Sequence, residues 1–247
     1  MIYTATYVAV FFGANCMKSF LILWSVALLV LPLQSFSASD CLTPADIIGA
    51  SYTISENGDE KKLTVLRQTP ARVVYLMESE FMTRIYEHYG ENRVGVTEYF
   101  DLEEKGVEHE PSFDIAPAGW EVIYELFPAG RFESMRQLGN TKFQCLQVAM
   151  ADFTTEESTT EVQYLVELKL PLVVKTESGG KVAHWRLDQL ITDDDILEDS
   201  LERVSAYATF DFADLGDHED QEFFRAGEYL KYKQNLKPVE TSGGHSH

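Results

Sequence analysis

The residues best suited to chemistry lie near the carboxyl end of the chain, in the stretch DFADLGDHEDQEFF from Asp211 to Phe224. Carboxylate oxygens are the ligands that Ca²⁺ prefers, and imidazole nitrogen suits softer metals such as Zn²⁺. The stretch therefore supplies a candidate metal site. The candidate ligands are Asp211, Asp214, Asp217, His218, Glu219 and Glu222.

The spacing of these carboxylates invites comparison with a calcium-binding EF-hand loop, in which oxygen ligands stand at fixed positions around an invariant glycine. With Asp211 as the first position, Gly216 falls at that glycine and Glu222 at the last ligand. Two inner ligand positions are Ala213 and Leu215, which offer no side-chain oxygen. We therefore expect no tightly bound cofactor here, and at most weak binding of calcium or zinc.

The competing interpretation is an acidic turn between two helices. In that turn Gly216 would adopt a positive φ, and Asp217 would cap the second helix. Phe210 and Phe212 would pack inward. We favour this interpretation over a specific metal site.

Sequence motifs for catalysis are missing. The chain has no Gly-x-Ser-x-Gly nucleophile turn, no His-Glu-x-x-His zinc motif and no glycine-rich phosphate loop. The sequence therefore favours a non-enzymatic protein over an enzyme, with no predicted catalytic residues. A hydrolase without a recognisable motif stays as an alternative.

The amino end has the layout of a secretory signal peptide. Lys18 follows Met17, an apolar run extends from Phe20 to Leu31, and small residues precede a cleavage point after Ala38. Residues 1–38 are therefore predicted to be removed, with translation starting at Met17, and the protein to be periplasmic or secreted. The alternative is a retained amino-terminal anchor. After processing we expect no stable membrane span.

Two cysteines remain after this leader, Cys41 and Cys145. Disulfides form and persist in oxidising compartments outside the cytosol. We therefore expect these two residues to be bonded. Two free thiols are the alternative.

The composition describes a strongly acidic chain with a formal net charge of −20 at pH 7. Such a charge repels nucleic acid and anionic lipid surfaces, and it attracts cations or a basic partner. Residues 39–236 are predicted to form a single exported domain, a normal size for one core. Residues 237–247, with their two histidines, are predicted to be a disordered tail with weak metal affinity.

The alternation of apolar and polar residues predicts mainly strands up to residue 192. Strands are expected on either side of Thr69-Pro70 and of the turn at 90–92, at 142–153, and in a hairpin over 162–192 with its turn at 178–180. Pro171 should mark a bulge or an edge. The aromatic residues of this meander are Tyr75, Phe81, Tyr86, Tyr89, Tyr99 and Phe100.

After residue 192 the apolar period changes to that of helices. Thr192 is predicted to cap a first helix whose apolar face includes Leu197 and Val204. A second helix is predicted from Asp220 to Lys233. The fold class is therefore α+β: an antiparallel β-meander followed by two C-terminal helices.

The strand pattern over residues 60–192, with its aromatic-rich meander and Gly-Gly hairpin, resembles the half-barrel periplasmic carriers of the lipoprotein-chaperone type. The resemblance implies a curved half-barrel sheet with an apolar face, and it transfers no site residue. The leading hypothesis is a non-enzymatic carrier, binding or assembly-accessory protein that holds a protein partner or an apolar ligand. The alternative is a metal-handling or metal-stabilised protein that uses residues 211–222 and the histidine tail.

Overall fold

The computed structural model describes residues 41–218 and 222–224, so the predicted leader and the predicted tail lie outside the described residues. The strands in chain order are β1 (Gly49–Glu56), β2 (Asp59–Thr69), β3 (Arg72–Met77), β4 (Met82–His88), β5 (Val94–Phe100), β6 (Lys105–Ser112), β7 (Arg136–Phe143), β8 (Leu146–Thr154), β9 (Ser158–Leu165), β10 (Leu170–Ser178), β11 (Lys181–Ile191) and β12 (Ala208–Asp211). The helices are α1 (Trp120–Glu125), α2 (Ala129–Glu133) and α3 (Asp195–Ser205). Four 3₁₀ segments cover Pro44–Asp46, Glu78–Glu80, Phe212–His218 and Glu222–Phe224.

All the described strands belong to one open sheet, in the order β12-β6-β5-β4-β3-β2-β1-β11-β10-β9-β8-β7. Two meanders, β1 to β6 and β7 to β11, join through the antiparallel pair β1 and β11. Every neighbouring pair is antiparallel except β12 and β6, which are parallel. The sheet therefore has two edges, β7 and β12.

Helices cover both faces of the central strands. Successive residues of a strand point to opposite faces. Val65 of β2 packs in a buried cluster with Trp120 of α1, whereas its neighbour Leu66 packs with Leu197 and Val204 of α3. Consequently α1 and α3 lie on opposite faces of the sheet, and β2 and β3 have buried side chains on both faces where these helices pack.

The antiparallel, strand-dominated architecture agrees with the prediction, but the curved half-barrel is not shown. The predicted pair of C-terminal helices is not confirmed. The first predicted helix corresponds to α3, but its N-cap is Asp194 rather than Thr192. The second predicted helix lies mostly outside the described residues, and its described part, Glu222–Phe224, is a 3₁₀ segment.

Details of the strands differ from the sequence prediction in instructive places. The register of β10 against β9 shifts after Pro171, which confirms the predicted bulge. The turn at Gly179 and Gly180 joins β10 to β11 as expected, since both glycines have positive φ. The predicted strand at 142–153 instead begins at Leu146, because residues 144 and 145 form a hairpin turn.

In the part of the chain described, no helix has both the length and the apolar character that a membrane crossing needs.

Candidate functional site

The acidic stretch continues from a strand rather than from a helix. Asp211 ends β12 and its Oδ1 accepts a hydrogen bond of 2.8 Å from the backbone N–H of Ala213. Residues Phe212–His218 then form a 3₁₀ helix. The interpretation as a turn between two helices is therefore wrong in its first half.

Two finer expectations for this stretch are also corrected. Gly216 does not have a positive φ, so it does not make the left-handed turn that we expected. Phe210 packs inward with Phe223 and Phe224, but Phe212 remains 40% exposed, with its ring stacked on His109 at 4.7 Å. The segment is held by aromatic contacts rather than by a tight glycine turn.

The predicted metal ligands are not brought together in the part of the chain that the structure describes. Among residues 41–218 and 222–224, no three His, Cys, Asp or Glu side chains approach closely enough to hold one ion. The ring of His218 instead contacts Phe210, with centroids 5.0 Å apart. Glu219 and the side chain of Glu222 lie outside the description. The weak metal site therefore stays a prediction.

The predicted disulfide is present. Cys41 and Cys145 are bonded across 104 residues of sequence, with Cα atoms 5.4 Å apart. Cys145 lies in the two-residue turn between β7 and β8, where both Gln144 and Cys145 have positive φ. This bond attaches the amino-terminal segment to the hairpin at one edge of the sheet.

The aromatic side chains of the meander have different surroundings. Tyr75 and Tyr86 lie beneath α1, and the Tyr75 hydroxyl donates to the carbonyl oxygen of Ile123. Phe100 is buried, with its ring 4.9 Å from that of Phe223. The ring of Tyr99 contacts that of Tyr207. Phe81 and Tyr89 are exposed to solvent.

A nearly buried charged cluster lies on β4, β5 and β6. The Arg84 guanidinium contacts Glu98 Oε1 at 2.9 Å, and His109 Nε2 lies 3.1 Å from Glu98 Oε2. Burial alone would raise the pKa of Glu98, but the hydrogen bond from His109 and the charge of Arg84 outweigh it and lower that pKa. A carboxylate held ionised between two donors suits a structural link between strands better than a general acid.

A second nearly buried cation, Arg67, also has a structural role. Its guanidinium donates to the carbonyl oxygens of Tyr124 at 2.7 and 2.9 Å, of Leu168 at 2.6 Å and of Lys169 at 3.0 Å. Burial lowers the pKa of Arg67, and the neighbouring tyrosines and Glu125 oppose that effect. Arg67 thus ties the end of α1 to the turn between β9 and β10.

The feature best suited to binding is the edge strand β7. Seven of its eight residues are exposed, and it pairs with β8 on one side only. The register is regular from Gly139 to Phe143, whereas a bulge lies between Gln137 and Gly139. No described residue pairs with the other side of β7.

The backbone groups that face this open side can be identified. Gln147 of β8 donates its N–H to the Glu167 carboxylate and accepts from the N–H of Val166, so its backbone groups point away from β7. Its partner across the ladder is Lys142. Lys142 and Gln147 are therefore a non-hydrogen-bonded pair of the antiparallel ladder, in which the backbone groups of both residues point away from each other. Every second residue along a strand has the same orientation. The N–H and C=O groups of Lys142 and Asn140 therefore face outward.

Shallow depressions border both ends of β7. One is lined by residues that include Arg136, Asp152 and Phe153, and the other by residues that include Lys142 and Glu167. Arg136 Nε donates to Asp152 Oδ1 at 2.7 Å, so this charge is already paired. An extended segment placed along β7 would have room for its side chains at either end.

Sequence reasoning missed β7 except for its last two residues, Lys142 and Phe143, which fall in the strand predicted at 142–153. Its residues, RQLGNTKF, show no alternation of apolar and polar side chains because neither face of this strand is buried. That predicted strand, which runs from the end of β7 through the turn into β8, was the usable signal for this hairpin.

A scan against models of known protein families finds no match, and a search of curated proteins finds none either. Among solved structures, the chain is similar to MucB in complex with MucA(peri), with 14% identity, a TM-score of 0.32, and coverage of 58% of this chain and 49% of that one. It is also similar to MucB of the Pseudomonas aeruginosa MucA/MucB complex, with 16% identity, a TM-score of 0.31, and coverage of 62% and 56%.

A third similar structure is PNGF-II in a C2 space group, with 13% identity, a TM-score of 0.34, and coverage of 75% of this chain and 32% of that one. The chain thus spans about half the length of the MucB chains and about a third of PNGF-II. These likenesses are too weak to indicate a shared activity or a shared partner.

Proposed function

We propose that this chain is an exported, non-enzymatic binding protein that holds an extended polypeptide segment as an additional strand along β7. The observation that carries the proposal is the outward-facing backbone of Asn140 and Lys142 on an exposed, regular edge. Strand addition uses main-chain hydrogen bonds for affinity and side-chain positions for specificity. The disulfide beside this edge supports an oxidising location.

A polypeptide suits this fold better than an apolar ligand. Tyr75 and Tyr86, which could have lined an apolar groove, are covered by α1. The depressions at the ends of β7 are lined by both polar and apolar side chains. An extended backbone meets such a surface with its own donors and acceptors, whereas an apolar ligand would leave those polar groups unsatisfied.

The same edge discourages pairing with a second copy of itself. A lysine and a bulge are features by which natural edge strands avoid aggregation, and β7 has both, at Lys142 and after Gln137. Antiparallel self-pairing centred on Gly139 would also place Lys142 opposite Arg136, which brings like charges together. A partner segment with an acidic or neutral residue opposite Lys142 avoids this charge repulsion and can pair with the regular part of β7, from Gly139 to Phe143.

The test compares two substitutions at one position. Asn140→Pro removes the outward N–H but no hydrogen bond to β8, and proline is tolerated at such edge positions. Asn140→Ala removes the same side chain and keeps the N–H. Peptides of about ten residues, the length of a long strand, would be selected by display against the protein and measured by fluorescence anisotropy.

We expect Asn140→Ala to bind the selected peptides within about twofold of the original affinity, and Asn140→Pro to lose at least about tenfold. The loss follows because a carbonyl of the peptide is left without its donor and the proline ring blocks the approach. Equal affinities of the two variants for every selected peptide would refute strand addition at β7.

A further inference from the structure

A second exposed surface lies at the turns between β3 and β4 and between β5 and β6, far along the sheet order from β7. We call residues 78–81 and 101–104 together the acidic tip. The two turns are joined directly, since the backbone N–H of Asp101 donates to the carbonyl oxygen of Phe81 at 2.9 Å. The tip is therefore one continuous surface.

The acidic tip exposes two large apolar side chains, one on each of its hydrogen-bonded turns. Phe81 is 55% exposed and Leu102 is 64% exposed, the highest value among the exposed large apolar residues of the described chain. Single exposed apolar residues are ordinary, whereas exposed apolar side chains that share one surface make that surface a candidate for binding.

The backbone of Phe81 adopts an energetically unfavourable conformation. Phe81 has a φ of 50° and lies in the left-handed region, which is unfavourable for a bulky residue. Two hydrogen bonds fix this conformation, because its N–H donates to Glu78 O and its carbonyl accepts from Asp101. Such strain persists where the surrounding structure enforces it, and here it keeps the turn in one conformation.

Within the two turns themselves, all the charged residues are acidic. The turns contain Glu78, Glu80, Asp101, Glu103 and Glu104, and no basic residue. Glu80 is paired with a lysine of β2 and Asp101 with an arginine of α3. Glu78 and Glu104 are both exposed. Glu78 and Glu104 therefore place exposed negative charge on the same two turns as the apolar pair.

We propose that the acidic tip is a docking surface for a cationic polypeptide segment, in which apolar side chains are flanked by lysine or arginine. Phe81 and Leu102 would contact the apolar side chains, and the carboxylates would pair with the cations. A second copy of this chain is disfavoured as the occupant because its net charge is −20. An anionic lipid surface is repelled for the same reason. This proposal does not depend on binding at β7.

The probe is a synthetic peptide of about ten residues in which leucines alternate with lysines, measured by fluorescence anisotropy at low and high salt. Two matched peptides replace either the lysines by glutamate or the leucines by serine. We expect binding of the first peptide alone, weakening as salt rises.

The apolar pair is tested by the double variant Phe81→Asn with Leu102→Asn. Asparagine tolerates the left-handed conformation at residue 81, so we expect the melting temperature to change by no more than about 3 °C. Peptide affinity should fall at least about tenfold. The matched control is Val166→Asn, which alters an exposed apolar residue elsewhere and should leave the affinity unchanged.

The charges are tested by a second matched pair. Glu78→Gln with Glu104→Gln should lower the peptide affinity at low salt by at least about threefold. Glu156→Gln with Glu157→Gln changes the net charge equally on an exposed turn distant in sequence from the tip, and it should have a smaller effect. This pair tests the proposal even if the apolar double variant fails to fold.

Five results would overturn the proposal. Equal losses in the two glutamine variants would indicate diffuse attraction to the whole chain, and full affinity in the Phe81 and Leu102 double variant would exclude the apolar contact. Loss of the peptide in Asn140→Pro but not in Asn140→Ala would place it on β7. Tip-dependent binding to vesicles of phosphatidylcholine and phosphatidylglycerol, or tip-dependent self-association, would assign the surface to a membrane or to a second copy.

Discussion

Replacing Glu98 by glutamine tests whether the charged cluster of β4, β5 and β6 holds the sheet together. The carboxylate lies 2.9 Å from Arg84 and 3.1 Å from His109, and all three side chains are nearly buried. Arg84 Nε already has no hydrogen-bond partner in the described part of the chain. Glutamine keeps the shape of the side chain but leaves the guanidinium charge uncompensated.

The magnitude follows from this geometry. Removing one partner of a buried ion pair costs about 3 to 5 kcal/mol, because the remaining charge stays buried. Glu98 and Arg84 retain 12% and 15% exposure, which admits some solvent and favours the lower end, about 3 kcal/mol. For a domain of this size that loss lowers the melting temperature by roughly 6 to 12 °C.

The pH dependence provides an independent check. The pKa of Glu98 is lower in the folded protein than its ordinary value of 4.5. Its ionised form therefore stabilises the fold above the unfolded pKa, and this contribution is lost as the pH falls through the folded pKa. The difference in unfolding free energy between the original protein and Glu98→Gln should be full at pH 7 and shrink below about pH 4.5.

Urea unfolding followed by circular dichroism from pH 7 to pH 3 measures both quantities. Glu108→Gln, which removes an exposed carboxylate from the same sheet, is the control and should change stability by less than about 0.5 kcal/mol. Adding Arg84→Met to Glu98→Gln should recover part of the loss, because it removes the unpaired charge. A cost below 1 kcal/mol, or one that is independent of pH, would refute the reasoning.

Three further predictions can be checked by thermal or urea unfolding. Cys41→Ser with Cys145→Ser should lose about 4 to 5 kcal/mol in the chain-entropy model, since the bond closes a loop of 104 residues, and equal stability with and without reductant would contradict this. Gly106→Ala should lose about 1 to 3 kcal/mol, because a Cβ there would lie 2.9 Å from the Tyr99 ring, whereas the control Gly130→Ala has open space and should not destabilise. Calcium or zinc at about 1 mM should stabilise the protein by less than 2.7 kcal/mol relative to chelator, and a larger gain abolished by Asp211→Asn would restore the specific metal site.

How far the sequence predicts this fold depends on where each strand lies in the sheet. The strands β2 to β5 were recognisable because burial gives them alternating or continuous apolar runs, such as Leu63 to Leu66. The parallel strand β12 was not recognisable from the sequence, because only four of its residues pair with β6 and they follow directly after a helix. Burial does not decide the outcome alone, because the central and largely buried strand β1 was not predicted either.

The candidate site was missed for the same physical reason that makes it a candidate. A strand that stays exposed along both faces has no apolar pattern, and its hairpin turn uses Gln144 and Cys145 where such turns favour asparagine and glycine. Two constraints hold β7 in the sheet nevertheless: the ladder to β8 and the covalent link from Cys145 to Cys41. A strand fixed in this way keeps Asn140 and Lys142 positioned without burying them. Their outward backbone groups are therefore preorganised for a partner strand, which reduces the entropy lost on binding.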